Sequence, residues 1–94
     1  MNTSLTLHKT VLITGASSGI GKALAHQFAQ DDYQLVLTAR SVAKMQVLAD
    51  ELQRQFKVAV KVIGADLETH AGAAQLHADI KARGIVLSAL VNNA

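Results

Sequence analysis

Apolar and polar positions along this chain switch between two periods. Thr10 to Thr14 is an unbroken β-branched and apolar run, too short for a helix and closed by Gly15, the pattern of a strand buried on both faces. From Gly19 the period lengthens: Ile20, Leu24 and Phe28 recur every four residues with Ala23 between them, and Asp31-Asp32 closes the stripe. That spacing predicts an amphipathic helix. Leu35-Val36-Leu37-Thr38 then predicts a second strand.

The clearest helical period follows. Ser41 stands at an N-cap position, and Met45, Leu48, Ala49, Leu52 and Phe56 fall on one face, with Lys44, Asp50, Glu51 and Arg54 pointing away. Val58, Val60 and Val62-Ile63 predict a third strand that stops at Gly64. Thr69 is placed to cap a third helix with Ala73, Leu76 and Ile80 inward and Gly84 as its C-cap. Ile85 through Val91 predicts a last strand, running into Asn92-Asn93-Ala94. Short strands alternating with helices imply parallel strands joined by right-handed crossovers, an α/β unit of the order β-α-β-α-β-α-β.

Composition narrows what such a unit does. Nine Lys and Arg against seven acids leave a formal charge of +2, scattered from Lys9 to Arg83, so charge-driven binding to nucleic acid or to a membrane gains no support. With no cysteine there is neither a disulfide framework nor a Cys-based zinc site. The first ten residues lack the charged region and apolar stretch of a signal peptide, and no apolar run is long enough for a membrane span. A cytoplasmic protein is expected. At 94 residues the chain makes one domain.

Chemistry concentrates where the first strand meets the first helix, in Gly15-Ala16-Ser17-Ser18-Gly19-Ile20-Gly21-Lys22. The first backbone N–H groups of a helix lack carbonyl partners and carry the positive end of its dipole, so they suit an anion. Gly15 permits the tight turn, Gly19 the approach of a phosphate, and Gly21 close packing of helix on strand. Ser17 and Ser18 add hydroxyl donors. A nucleoside-triphosphate loop, G-x-x-x-x-G-K-[ST], is disfavoured because Ala16 and Ala23 occupy places that need glycine and a magnesium-binding hydroxyl.

Thr14-Gly15-Ala16-Ser17-Ser18-Gly19-Ile20-Gly21 resembles the T-G-x-x-x-G-x-G cofactor motif of the short-chain dehydrogenase/reductase family. Thr38-Ala39-Arg40 after the second strand, Asp66-Leu67 after the third, and Asn92-Asn93-Ala94, similar to N-N-A-G, agree in order. The resemblance implies a Rossmann-like parallel sheet, half of a doubly wound domain, in which residues 1–94 bind NAD(P). It implies that Gly15, Ser17, Ser18, Gly19 and Ile20 contact the pyrophosphate and adjoining ribose, that Asp66 and Leu67 border the adenine, and that Asn93 lies near the ribose.

The end of the second strand selects the cofactor. An acidic residue there would bind the ribose 2′-hydroxyl of NAD, whereas an arginine accommodates the 2′-phosphate of NADP. Ala39 holds the acidic place and Arg40 follows, with Ser41 as a further donor, so NADP(H) is predicted. His8, His26, His70 and His77 lack metal-ligand spacing, and no metal site is expected.

The family's catalytic residues, a Y-x-x-x-K pair and a preceding serine, belong beyond N-N-A-G. Here the single tyrosine, Tyr33, has Leu37 in the lysine place, and no residue of the chain is assigned a catalytic role. The chain is expected to be the cofactor-binding half of an oxidoreductase acting on a small carbonyl or alcohol, truncated within its last motif and inactive alone. Homo-oligomers are expected by resemblance, and the last strand's open edge favours self-association. The alternative is a non-catalytic NADP-binding sensor or regulatory module.

Overall fold

Each segment that the hydrophobic pattern singles out forms the expected element type in the computed structural model, which describes residues 9–16 and 19–92. The order is β1 (Thr10–Thr14), α1 (Gly19–Gln30), β2 (Gln34–Ala39), α2 (Val42–Phe56), β3 (Val60–Gly64), α3 (His70–Ala82) and β4 (Ala89–Asn92). The strands form one sheet in the order β3-β2-β1-β4, every pairing parallel.

Strand side chains alternate between faces, so the unbroken runs in β1 and β2 feed two cores at once. Val11, Ile13, Leu35 and Leu37 join Ala25, Ala29, Met45, Leu48, Ala49 and Leu52 on the face covered by α1 and α2. Leu12, Val36 and Ile63 meet Leu76 and Ile80 of α3 on the other. Helices therefore lie on both faces, as the doubly wound reading requires.

The first helix keeps its predicted period but turns by one position. Gly21, Ala25 and Ala29 are its buried residues, Leu24 and Phe28 are half-buried, and Ile20 is 68% exposed. Small residues let the helix axis approach the sheet, and larger ones flank the contact. In α2 the predicted face is the observed one, with Met45, Leu48, Ala49 and Leu52 buried. In α3, Leu76 and Ile80 are buried while Ala73 is exposed.

Capping accounts for the remaining differences. The Ser41 backbone is extended at the N-cap of α2, but its hydroxyl makes no cap bond, whereas Thr69 accepts from the Gly72 amide at 2.9 Å, as expected. Gly84 adopts φ +68°, one residue beyond the C-cap Arg83. Its N–H donates to the Lys81 carbonyl and the Ile85 N–H to that of Ile80, each at 3.1 Å. This is a Schellman ending, and it draws Ile85 into the core beside Ile80. The apolar character of Ile85 serves that cap rather than a strand, so β4 begins at Ala89. Helix α1 ends the same way: Asp32 takes φ 68°, Tyr33 N–H reaches the Phe28 carbonyl at 3.0 Å, and the two rings meet edge to face at 4.9 Å.

Candidate dinucleotide site

All four strands end on the same side of the molecule, and with them the turns that follow β1, β2 and β3. The strand order places β2 and β4 on opposite sides of β1, with α1 and α2 on one face and α3 on the other. Open α/β sheets bind ligands at such a reversal.

The first turn is built as its glycines suggest. Gly15 has φ 64°, and its N–H donates to the Thr38 carbonyl at 2.9 Å, extending the β1–β2 pairing by one residue. A Cβ added at Gly19 would meet nothing within 4 Å, so this position faces open space rather than protein. Gly21 is buried. No acidic residue occupies the first turn of α1, so no side-chain carboxylate of that turn offsets the positive end of its dipole. Ser17, Ser18 and Asn93 lie outside the described residues.

A groove of about 1240 Å³ runs from these strand ends along the face of α3, and Gly15, Arg40, Asp66 and Leu67 line it together. Gly19 and Ile20 are not among its lining residues. The Asp66 carboxylate accepts from the Glu68 N–H at 3.1 Å, and the Asp66 carbonyl accepts from the Thr69 hydroxyl at 3.1 Å. Asp66 thus shapes the turn that leads into α3. Arg40 and Glu68 face each other across the groove mouth, Nη2 to Oε1 at 4.0 Å, with side chains 70% and 79% exposed.

Three further features of the site emerge from the structure. The Thr14 hydroxyl donates toward Asn92 Oδ1 at 3.1 Å and lies 3.3 Å from the Val91 carbonyl, tying β1 to β4 at the switch point. Gly72 is needed because a Cβ there would fall 1.8 Å from the Asp66 carbonyl oxygen. The third is Thr38, fully buried, whose hydroxyl finds no hydrogen-bond partner among the described residues. The Thr14–Asn92 link had a signal, since both residues occupy quoted motifs; Gly72 had none.

The tight turn at Gly15, the open space at Gly19 and the absence of an acid at the end of β2 fit a dinucleotide phosphate. Residues 9–94 match the family described as short chain dehydrogenase. The chain belongs to that family. As a short-chain dehydrogenase it is 38% identical over 85 residues to the very-long-chain 3-oxoacyl-CoA reductase of Scheffersomyces stipitis, covering 90% of this chain and 25% of that protein. Among solved structures, the bulky-bulky ketone specific alcohol dehydrogenase of Comamonas testosteroni superposes with a TM-score of 0.83 and 41% identity, over 92% of this chain and 34% of that one. L-sorbose reductase of Gluconobacter frateurii, complexed with NADPH and L-sorbose, gives 0.87 and 36%, over 93% and 33%. This short-chain dehydrogenase sequence therefore spans about a quarter to a third of the length of these relatives.

Proposed function

We propose that this chain binds NADP(H) for an oxidoreductase that moves a hydride between the nicotinamide and a carbonyl or alcohol carbon of a small molecule. The observation that carries the choice of cofactor is Arg40 at the groove mouth, directly after Ala39 ends β2. A guanidinium presents a planar fork of donors that matches a phosphate, and an alanine in the acidic place removes the repulsion that would exclude it. The NADPH held by L-sorbose reductase, a relative of the same fold, supports the same choice.

Within that reading the bound cofactor supplies the hydride, and this chain supplies its anchorage. Main-chain N–H groups and the Ser17 and Ser18 hydroxyls hold the pyrophosphate, with Gly15 and Gly19 leaving room for it and Ile20 beside it. Arg40 takes the 2′-phosphate, Asp66 and Leu67 border the adenine, and Asn93 lies near the ribose. Tyr33 plays no chemical part: its ring packs on Phe28 and no lysine stands four residues on.

The 94 residues alone are proposed to bind cofactor without turnover, and the wider protein to work as a cytoplasmic homo-oligomer. Fluorescence titration with NADPH and NADH tests the cofactor choice, with tighter NADPH expected and equal or tighter NADH overturning it. The competing reading is a binding-only sensor that keeps the dinucleotide site without the chemistry. Carbonyl-dependent NADPH oxidation by the whole protein decides against the sensor, and binding without oxidation decides for it.

A further inference from the structure

We propose that Glu68 is a second determinant of cofactor choice: its carboxylate engages Arg40 across the groove mouth and competes with the 2′-phosphate for the guanidinium. This rests on the NADP(H) reading above. Arg40 follows β2 and Glu68 follows β3, and these neighbouring strands end in register at Ala39 and Gly64. The sheet therefore delivers the two side chains to the same place, Nη2 to Oε1 at 4.0 Å.

The backbone under Glu68 is held. Its N–H donates to the Asp66 carboxylate at 3.1 Å, the Thr69 hydroxyl ties back to the Asp66 carbonyl at 3.1 Å, and α3 abuts that carbonyl at Gly72, where no Cβ fits. The turn keeps Glu68 on the Arg40 side of the groove while leaving its side chain exposed. A carboxylate and a phosphate both seek the charge-assisted, forked contact that a guanidinium offers. A 2′-phosphate reaching Arg40 therefore meets a carboxylate already drawn to the same guanidinium, and the protein discriminates between NADPH and NADH less steeply than Arg40 alone would allow. Two exposed partners at this distance set a modest scale, about two- to fivefold in affinity.

The test uses a pair of nucleotides that differ only by the 2′-phosphate, adenosine 2′,5′-bisphosphate and adenosine 5′-monophosphate, titrated calorimetrically into the protein, Glu68→Gln, Arg40→Ala and the double variant. Glu68→Gln is expected to bind the bisphosphate about two- to fivefold more tightly and the monophosphate unchanged, with an unaltered melting temperature. The gain should shrink at about 0.5 M salt and mostly disappear in the Arg40→Ala background. Where the wild type prefers the bisphosphate but Glu68→Gln binds it no more tightly, or gains equally without Arg40, the Glu68 proposal is overturned and the NADP(H) reading stands. Where neither the wild type nor Glu68→Gln prefers the bisphosphate, the NADP(H) reading is overturned, and the role of Glu68 with it.

Discussion

Thr14 and Asn92, at the C-terminal ends of neighbouring parallel strands, are joined by a hydroxyl-to-amide-oxygen hydrogen bond of 3.1 Å. It spans the point where the strand order reverses, beside the turn assigned to the pyrophosphate. Because Asn92 precedes Asn93, assigned to the ribose, the bond links the two ends of the proposed site through side chains as well as through the sheet.

Thr14→Val removes that donor while keeping the branched shape, and is expected to cost about 1–2 kcal/mol of stability. Urea denaturation monitored by circular dichroism measures it. Thr14→Ser, which retains the hydroxyl, should lose less, and a loss in Thr14→Ser with none in Thr14→Val would assign the effect to packing of the methyl group rather than to the bond.

Arg40→Ala should weaken NADPH by tenfold or more, the scale of one or two charge-assisted hydrogen bonds at about 1.5–3 kcal/mol, and leave NADH near its wild-type affinity. Ala39→Asp should lower NADPH affinity further and raise that for NADH. Parallel losses for both cofactors would mean that Arg40 supports the fold of the loop instead of reading the phosphate.

Two glycine variants separate folding from binding. Gly19→Ala adds a methyl group where nothing lies within 4 Å, so stability should hold or rise by about 0.4–1 kcal/mol while NADPH binding falls sharply. Gly72→Ala drives a Cβ into the Asp66 carbonyl and should cost at least about 1–3 kcal/mol, displacing the adenine-side turn. Thermal melts with and without NADPH distinguish the two patterns.

Leu37→Ala is expected to destabilise by about 2–5 kcal/mol, since Leu37 is fully buried between β2 and the α1–α2 layer. Guanidinium unfolding gives the value. A loss below about 1 kcal/mol would mean that this core collapses around the gap.

The order of elements was legible because runs such as Thr10–Thr14 and the Met45-Leu48-Ala49-Leu52 face report burial directly. What eluded the pattern was governed by shape rather than by apolar character. Helix α1 buries Gly21, Ala25 and Ala29 because close approach favours small side chains, whereas a count of large apolar residues picks Leu24 and Phe28. Ile85 reads as strand because capping contacts and strand interiors draw on the same residue types. At the site, Arg40 was legible from its place after a strand. Its facing Glu68 was not, because their proximity depends on the β2–β3 register, which becomes visible only once the sheet is assembled.

That register also separates two kinds of change. The strands from Leu35↔Val60 to Ala39↔Gly64 are fixed by buried neighbours, while the residues just past their ends project from exposed turns. On the proposed function, substitutions at Arg40 or Glu68 are expected to retune which nucleotide is held without disturbing what folds the chain. For an engineer the sheet would then be a fixed chassis, and the proposed cofactor preference a removable fitting on its rim.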